Sequence, residues 1–90
     1  MRNAFLSAVD YLCMLSGQSQ EETRDKVIVN GPDGEMLSVS RDEFMVDDDG
    51  IEIGNEFVIG WTGIERIEVD DGVMKVTLTD GKTVNIESCP

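Results

Sequence analysis

The sequence predicts a mainly β domain of the α+β class, with one N-terminal helix followed by a meander of short antiparallel strands. Three observations predict it. Apolar residues recur at helical spacing near the start of the chain. From Lys26 onward the spacing changes to alternation along short segments. Glycine-containing turn signals punctuate that second part. A period near 3.6 buries one helix stripe, whereas a period of two buries one strand face.

The helix is expected over residues 3–16. Phe5, Ala8, Val9, Leu12 and Leu15 fall on one stripe, and Leu6 and Cys13 widen it. Asn3 stands where an N-cap belongs and Gly17 where a helix stops. Ser19-Gln20-Glu21-Glu22 has capping-box form, which suits a short helical turn or a linker. Val27-Ile28-Val29 starts the strands, and Gly31-Pro32-Asp33-Gly34 supplies strong turn chemistry. Leu37 and Val39 alternate with Ser38 and Ser40 in the next strand. Phe44-Met45-Val46 and Ile51-Glu52-Ile53 flank an Asp47-Asp48-Asp49-Gly50 turn. Phe57 to Trp61 and Ile64 to Val69 make two more strands, with Thr62-Gly63 a break or a short helical turn between them.

The last third is the clearest. Asp70-Asp71-Gly72 is a turn. Met74, Val76 and Leu78 then alternate with Lys75, Thr77 and Thr79. Asp80-Gly81 leads into a strand that carries Val84 and Ile86 on one face. Asp-Gly between alternating strands is a strong short-range hairpin signal. The whole reads as one domain over residues 1–90: helix at 3–16, linker at 17–25, and a small barrel or strongly bent sheet at 26–87.

In architecture the chain resembles small SH3-like and Sm-like barrels that carry an N-terminal helix. Across about Lys26 to Glu87 it also resembles the Rho-binding antiterminators. The resemblance lies in strand rhythm, including Asp33-Gly34-Glu35 and Ile64-Glu65-Arg66-Ile67. It implies an acidic barrel that blocks an RNA-binding site on another protein.

Charge is the strongest compositional signal. Nineteen Asp and Glu face seven Lys and Arg, for a formal charge of −12. Direct nucleic-acid binding needs basic residues gathered against phosphates, and no two basic residues are adjacent here. An anionic membrane surface is disfavoured on the same ground. Met1 to Gly17 has some signal-peptide character, but Asp10 interrupts its apolar run and no clean cleavage site follows. Two distant cysteines, Cys13 and Cys89, do not make a disulfide framework. The reading is a cytoplasmic protein with reduced thiols.

Catalytic chemistry is hard to place. The chain has no histidine, which removes Ser–His and Cys–His activation and His-containing zinc sites. Gly60-Trp61-Thr62-Gly63 lacks the Lys and the following helix of a phosphate loop. Asp47, Asp49, Gly50 and Glu56 match the later part of a calcium-loop pattern, but Met45 occupies its first ligand position and the flanks read as strands. Cys13 reads as a buried core thiol, and Trp61 and Phe57 read as core. No enzyme activity, cofactor or metal is expected.

What remains is acidity. Between Asp33 and Asp71 there are 13 acidic residues against Arg41 and Arg66. Curled hairpins would gather several of their turns on one rim. The expected partner-binding residues are Asp47, Asp48, Asp49, Glu52, Glu65, Glu68, Asp70 and Asp71. A dense negative surface steers toward basic partners and suits a groove built for phosphates. The leading expectation is a regulatory module that binds a basic, nucleic-acid-binding protein as an inhibitor. The alternative is an assembly subunit that self-associates through a sheet edge or the helix, its acidity serving solubility.

Overall fold

A computed structural model describes residues 2–90. Helix α1 spans Arg2–Leu15. Eight strands follow: β1 Lys26–Asn30, β2 Met36–Ser40, β3 Phe44–Val46, β4 Gly50–Ile53, β5 Phe57–Gly60, β6 Ile64–Asp70, β7 Val73–Leu78 and β8 Thr83–Ser88. Short 3-10 turns at Glu21–Thr23, Arg41–Glu43 and Trp61–Gly63 punctuate them.

Helix α1 forms for the reason its stripe suggests. Phe5, Val9, Leu12 and Cys13 are buried, while Ser7, Asp10, Tyr11 and Met14 face outward. It ends at Gly17, whose φ of +81° is costly for any residue with a Cβ. A Cβ there would also stand 2.6 Å from the Arg24 Cα. The end of the chain is stitched to this helix terminus. Ser16 Oγ donates to the Leu12 carbonyl (3.0 Å) and accepts from the Cys89 amide (3.0 Å). Asn3 is not the N-cap. The helix already includes Arg2, which puts Asn3 inside its first turn, where its side chain cannot receive the N2 or N3 amide from outside.

The strands pair antiparallel into two sheets, ordered β2-β1-β8-β7-β6 and β3-β4-β5. Turn chemistry sets their registers. Asp71 (φ 46°) and Gly72 (φ 79°) both adopt positive φ, the demand of a two-residue type I′ hairpin between paired Asp70 and Val73. Gly81 (φ 89°) closes the β7–β8 hairpin. β8 then pairs with β1, so the first and last strands meet in the middle of the large sheet.

β2 does not pair with β3, nor β5 with β6. Each pair is joined through a 3-10 turn that carries the chain from one sheet into the other. At the first, Ser40 and Glu43 form a capping box, with the Ser40 amide donating to Glu43 Oε1 (2.9 Å). The inner faces of both sheets and the α1 stripe share one core, including Phe5, Val9, Leu12, Val29, Ile51, Ile53, Met74, Val76, Val84 and Ile86. Phe5 joins the two layers: its ring lies 6.3 Å from Phe44 on β3 and 6.3 Å, edge-on, from Trp61. Phe57 is buried and Trp61 half-buried against this core, as their apolar context predicts.

Candidate functional site

The three-stranded sheet turns one row of side chains outward. Alternation buries Phe44, Ile51, Ile53 and Phe57 and half-buries Val46 and Ile59. The opposite face carries Met45, Glu52 and Val58, which are direct cross-strand partners. Met45 is 61% exposed and Val58 79% exposed. Fully covering a side chain of this size contributes roughly 1.5–3 kcal/mol, so both leave stabilisation unused in the free chain.

The neighbouring β3–β4 turn is rigidly built. Asp47 Oδ1 accepts from the amides of Asp49 (2.8 Å) and Gly50 (3.0 Å). The Asp47 amide donates to the Gly50 carbonyl (3.0 Å). Trp61 clamps the turn from the other side: its Nε1 donates to the Asp47 carbonyl (2.8 Å) and its amide to the Asp49 carbonyl (3.2 Å). Gly50 must be glycine, because a Cβ there would lie 2.2 Å from the Ile59 carbonyl oxygen. The Asp49 carboxylate takes part in none of these bonds. Met45, Asp47, Asp49, Glu52, Val58 and Gly60 surround a shallow depression of about 240 Å³. Apolar and acidic side chains therefore coincide on one fixed surface.

The sequence-predicted residues divide into two groups. Asp47, Asp49 and Glu52 line this depression, and Asp48 lies within the same turn. Glu65, Glu68, Asp70 and Asp71 follow the edge strand β6 and the β6–β7 turn. From Ile64 to Asp70, β6 runs roughly 20 Å at about 3.3 Å per residue, so its far end is remote from Trp61 and the turn it clamps. Basic residues interrupt the second group. Arg66 pairs with Glu68 at 3.1 Å, and Lys75 is the cross-strand partner of Glu68. The ion pairs Arg24–Glu21, Arg41–Asp10 and Lys82–Asp33 have no member among the residues that line the depression.

Met45 and Val58 escaped the sequence reading, although the signal was present. Phe44-Met45-Val46 and Phe57-Val58-Ile59 are unbroken apolar runs where a one-sided strand should alternate.

Other chemistry is thin at this surface. Among the described residues, no group of three or more His, Cys, Asp or Glu is arranged to hold a metal ion. Cys13 and Cys89 are both free and buried. Burial pushes both thiols above their ordinary pKa, and the Asp25 carboxylate raises Cys13 further. Both are thus held in the poorly nucleophilic protonated form. Among the described residues no helix is long and apolar enough to cross a membrane. Comparison with protein-family models, with curated proteins and with solved structures finds no match for this chain.

Proposed function

We propose that this protein is a non-enzymatic interaction module that binds a basic protein through the outer face of its three-stranded sheet. One observation carries the reading: exposed Met45 and Val58 sit in the same depression as Asp47, Asp49 and Glu52. Apolar surface supplies affinity and carboxylates supply steering and selection. A Lys- or Arg-bearing segment suits both, because its aliphatic stems cover apolar surface while its charged ends reach acids. In this reading the two bent sheets act as one barrel-like body in the cytoplasm. The acidic face occupies a partner's phosphate-binding groove in competition with nucleic acid.

The test is a salt and mutation series on the captured partner. Association slows as salt rises, because the screening length falls from about 10 Å at 0.1 M to about 3 Å at 1 M. Joint D47N, D49N and E52Q changes weaken binding with the fold intact, since Asn retains the oxygen acceptor that organises the turn. Neutralising Glu22 and Glu87 instead has little effect. A complex indifferent to salt and to the triple change overturns the acidic-face reading.

A second reading rests on a different surface. Ala4, Phe5 and Ala8 of α1 face Ile67 and Val69 of β6 across an apolar groove of about 310 Å³. Tyr11 and Val69 are each 46% exposed. An assembly subunit would self-associate there. Its signature is opposite: higher salt relieves repulsion between like-charged copies and strengthens association.

A further inference from the structure

Beside the depression lies a second groove, of about 440 Å³, lined along one side by β5. Its walls include Pro32, Phe57, Val58, Ile59, Gly60 and Leu78. Asp33, Glu35, Glu56 and Asp80 stand around it. Among the described residues β5 is an edge strand, paired with β4 alone. The phase of that ladder is fixed. The Trp61 amide donates to the Asp49 carbonyl, and Val58 and Gly60 stand opposite Glu52 and Gly50. Hydrogen-bonded pairs alternate along an antiparallel ladder, so Phe57 and Ile59 turn their backbone groups toward β4. Val58 and Gly60 turn theirs outward, into the groove.

At two positions there neither space nor φ demands glycine. Gly60 has an ordinary extended conformation (φ −73°, ψ 148°). A Cβ on it would meet nothing nearer than 3.6 Å. A Cβ on Gly63 would meet nothing within 4 Å, and its φ is not positive. Gly50, by contrast, is forced by the Ile59 carbonyl. Gly63 belongs to the Trp61–Gly63 turn, but Gly60 lies in β5, and glycine within a strand often marks a place where another backbone approaches closely. β5 also lacks the charged residues and prolines that blunt exposed edges. The edge strand β6 has such protection in Glu65, Arg66, Glu68 and Asp70.

We propose that β5 accepts an extended, Lys/Arg-rich segment of a partner protein as an added antiparallel strand. Resting on the function proposed above, this supplies its binding mode. Main-chain hydrogen bonds to Val58 and Gly60 provide the register, and alternate basic side chains reach the carboxylates. Those carboxylates are held in place. Asp33 receives Lys82 Nζ at 2.9 Å, Glu35 Oε1 accepts the Asp33 amide at 2.8 Å, and Asp80 Oδ1 accepts the Lys82 amide at 2.9 Å. Lys82, paired with Asp33, stands against the four carboxylates of Asp33, Glu35, Glu56 and Asp80 at the groove. Charge also decides the occupant: a second copy would bring the same acids against these, whereas a basic strand neutralises them.

The probe is a ten-residue peptide of alternating Lys and Thr. Its control is the same sequence with every backbone nitrogen methylated, which keeps the charge and removes the donors. Strand addition predicts at least about tenfold tighter binding of the unmethylated peptide. It also predicts slowed amide exchange at Val58 and Gly60 in the complex. Gly60→Pro, which suits the φ of −73° there and removes the outward N–H donor, abolishes that preference while the melting temperature holds. Glu56→Gln, in a side chain with no structural bond, weakens binding without removing the preference. Equal binding of both peptides, with sensitivity to D49N/E52Q, overturns strand addition and leaves the acidic-face reading standing. Failure of both peptides to bind at low salt overturns both. A dimer of the free protein with protected Val58 and Gly60 amides assigns the edge to a second copy and overturns the basic occupant.

Discussion

The β7–β8 hairpin and the β3–β5 sheet are both made of short antiparallel strands, yet they sit in opposite circumstances. β7 lies between β6 and β8, and β8 between β7 and β1, so every edge of that hairpin is paired. Its inner face, Met74, Val76, Val84 and Ile86, is at most 2% exposed. The small sheet has a single interior strand and two free edges, and it presents Met45 and Val58 to solvent. A lone hairpin is marginal in water, and a small sheet gains stability by packing its apolar face against a further element. Here that support comes from Phe5, Phe44 and Trp61 across the core. The large sheet is sealed on its inner face, whereas the small one leans on α1 through Phe5 and leaves Met45 and Val58 exposed on its outer side.

The largest expected effect follows from that division. Val76 stands between Ile67 and Val84 in the register and is 2% exposed. Val76→Asp buries a carboxylate with no partner, a cost of several kcal/mol that matches the whole stability of many small domains. The variant should be unfolded by circular dichroism at room temperature. A normal melting curve would break the comparison at its base.

The sealed region was legible because its signals are local. Alternation named the buried residues of β7 and β8, and Asp70-Asp71-Gly72 and Asp80-Gly81 named the turns, where Asp71, Gly72 and Gly81 adopt positive φ. The helix stripe was legible for the same reason, apart from the cap assigned to Asn3. The division into two sheets was not legible. It depends on the pairing of β1 with β8, some 60 residues apart in sequence, which no local pattern encodes. One local clue went unread: Ser40-Arg41-Asp42-Glu43 has capping-box form and bends β2 into β3. The candidate site was half legible. Thirteen acids crowded between Asp33 and Asp71 suggest one rim, but Glu65, Glu68 and Asp70 lie on β6 and Asp71 in the turn that follows, apart from the Asp47–Asp49 turn. The Trp61 clamp, a contact across 14 residues, gave no sign in the sequence.

An intermediate effect tests how the small sheet is supported. Trp61→Phe keeps an aromatic ring against Phe5 and removes the hydrogen bond to the Asp47 carbonyl. The cost should be about 0.5–1.5 kcal/mol in denaturant unfolding. Its distribution matters more than its size. Amide exchange should quicken at Asp49 and Gly50, whose turn loses its clamp, and stay unchanged in β7 and β8. Uniform acceleration through both sheets would mean that the two regions unfold as one unit and are not distinct in stability.

The smallest expected effect carries the sharpest test. Met45→Thr and Val58→Thr, made together, change the outer face of the small sheet and nothing beneath it. Threonine is β-branched and favours strands at both positions, so the backbone has no reason to respond. Neither side chain packs into the core, and surface substitutions of this kind usually fall within about 0.5 kcal/mol. The denaturation midpoint should therefore barely move. Ile51→Ala, one strand position from Glu52 on the buried face of the same sheet, should cost roughly 2–5 kcal/mol. The contrast between neighbouring positions isolates the exposed row as apolar surface that folding does not need. If the double Thr variant instead loses more than about 1 kcal/mol, Met45 and Val58 are stabilising the chain itself, and their exposure is no guide to a partner. If stability holds while affinity for the basic peptide falls, the same two side chains are placed for binding alone.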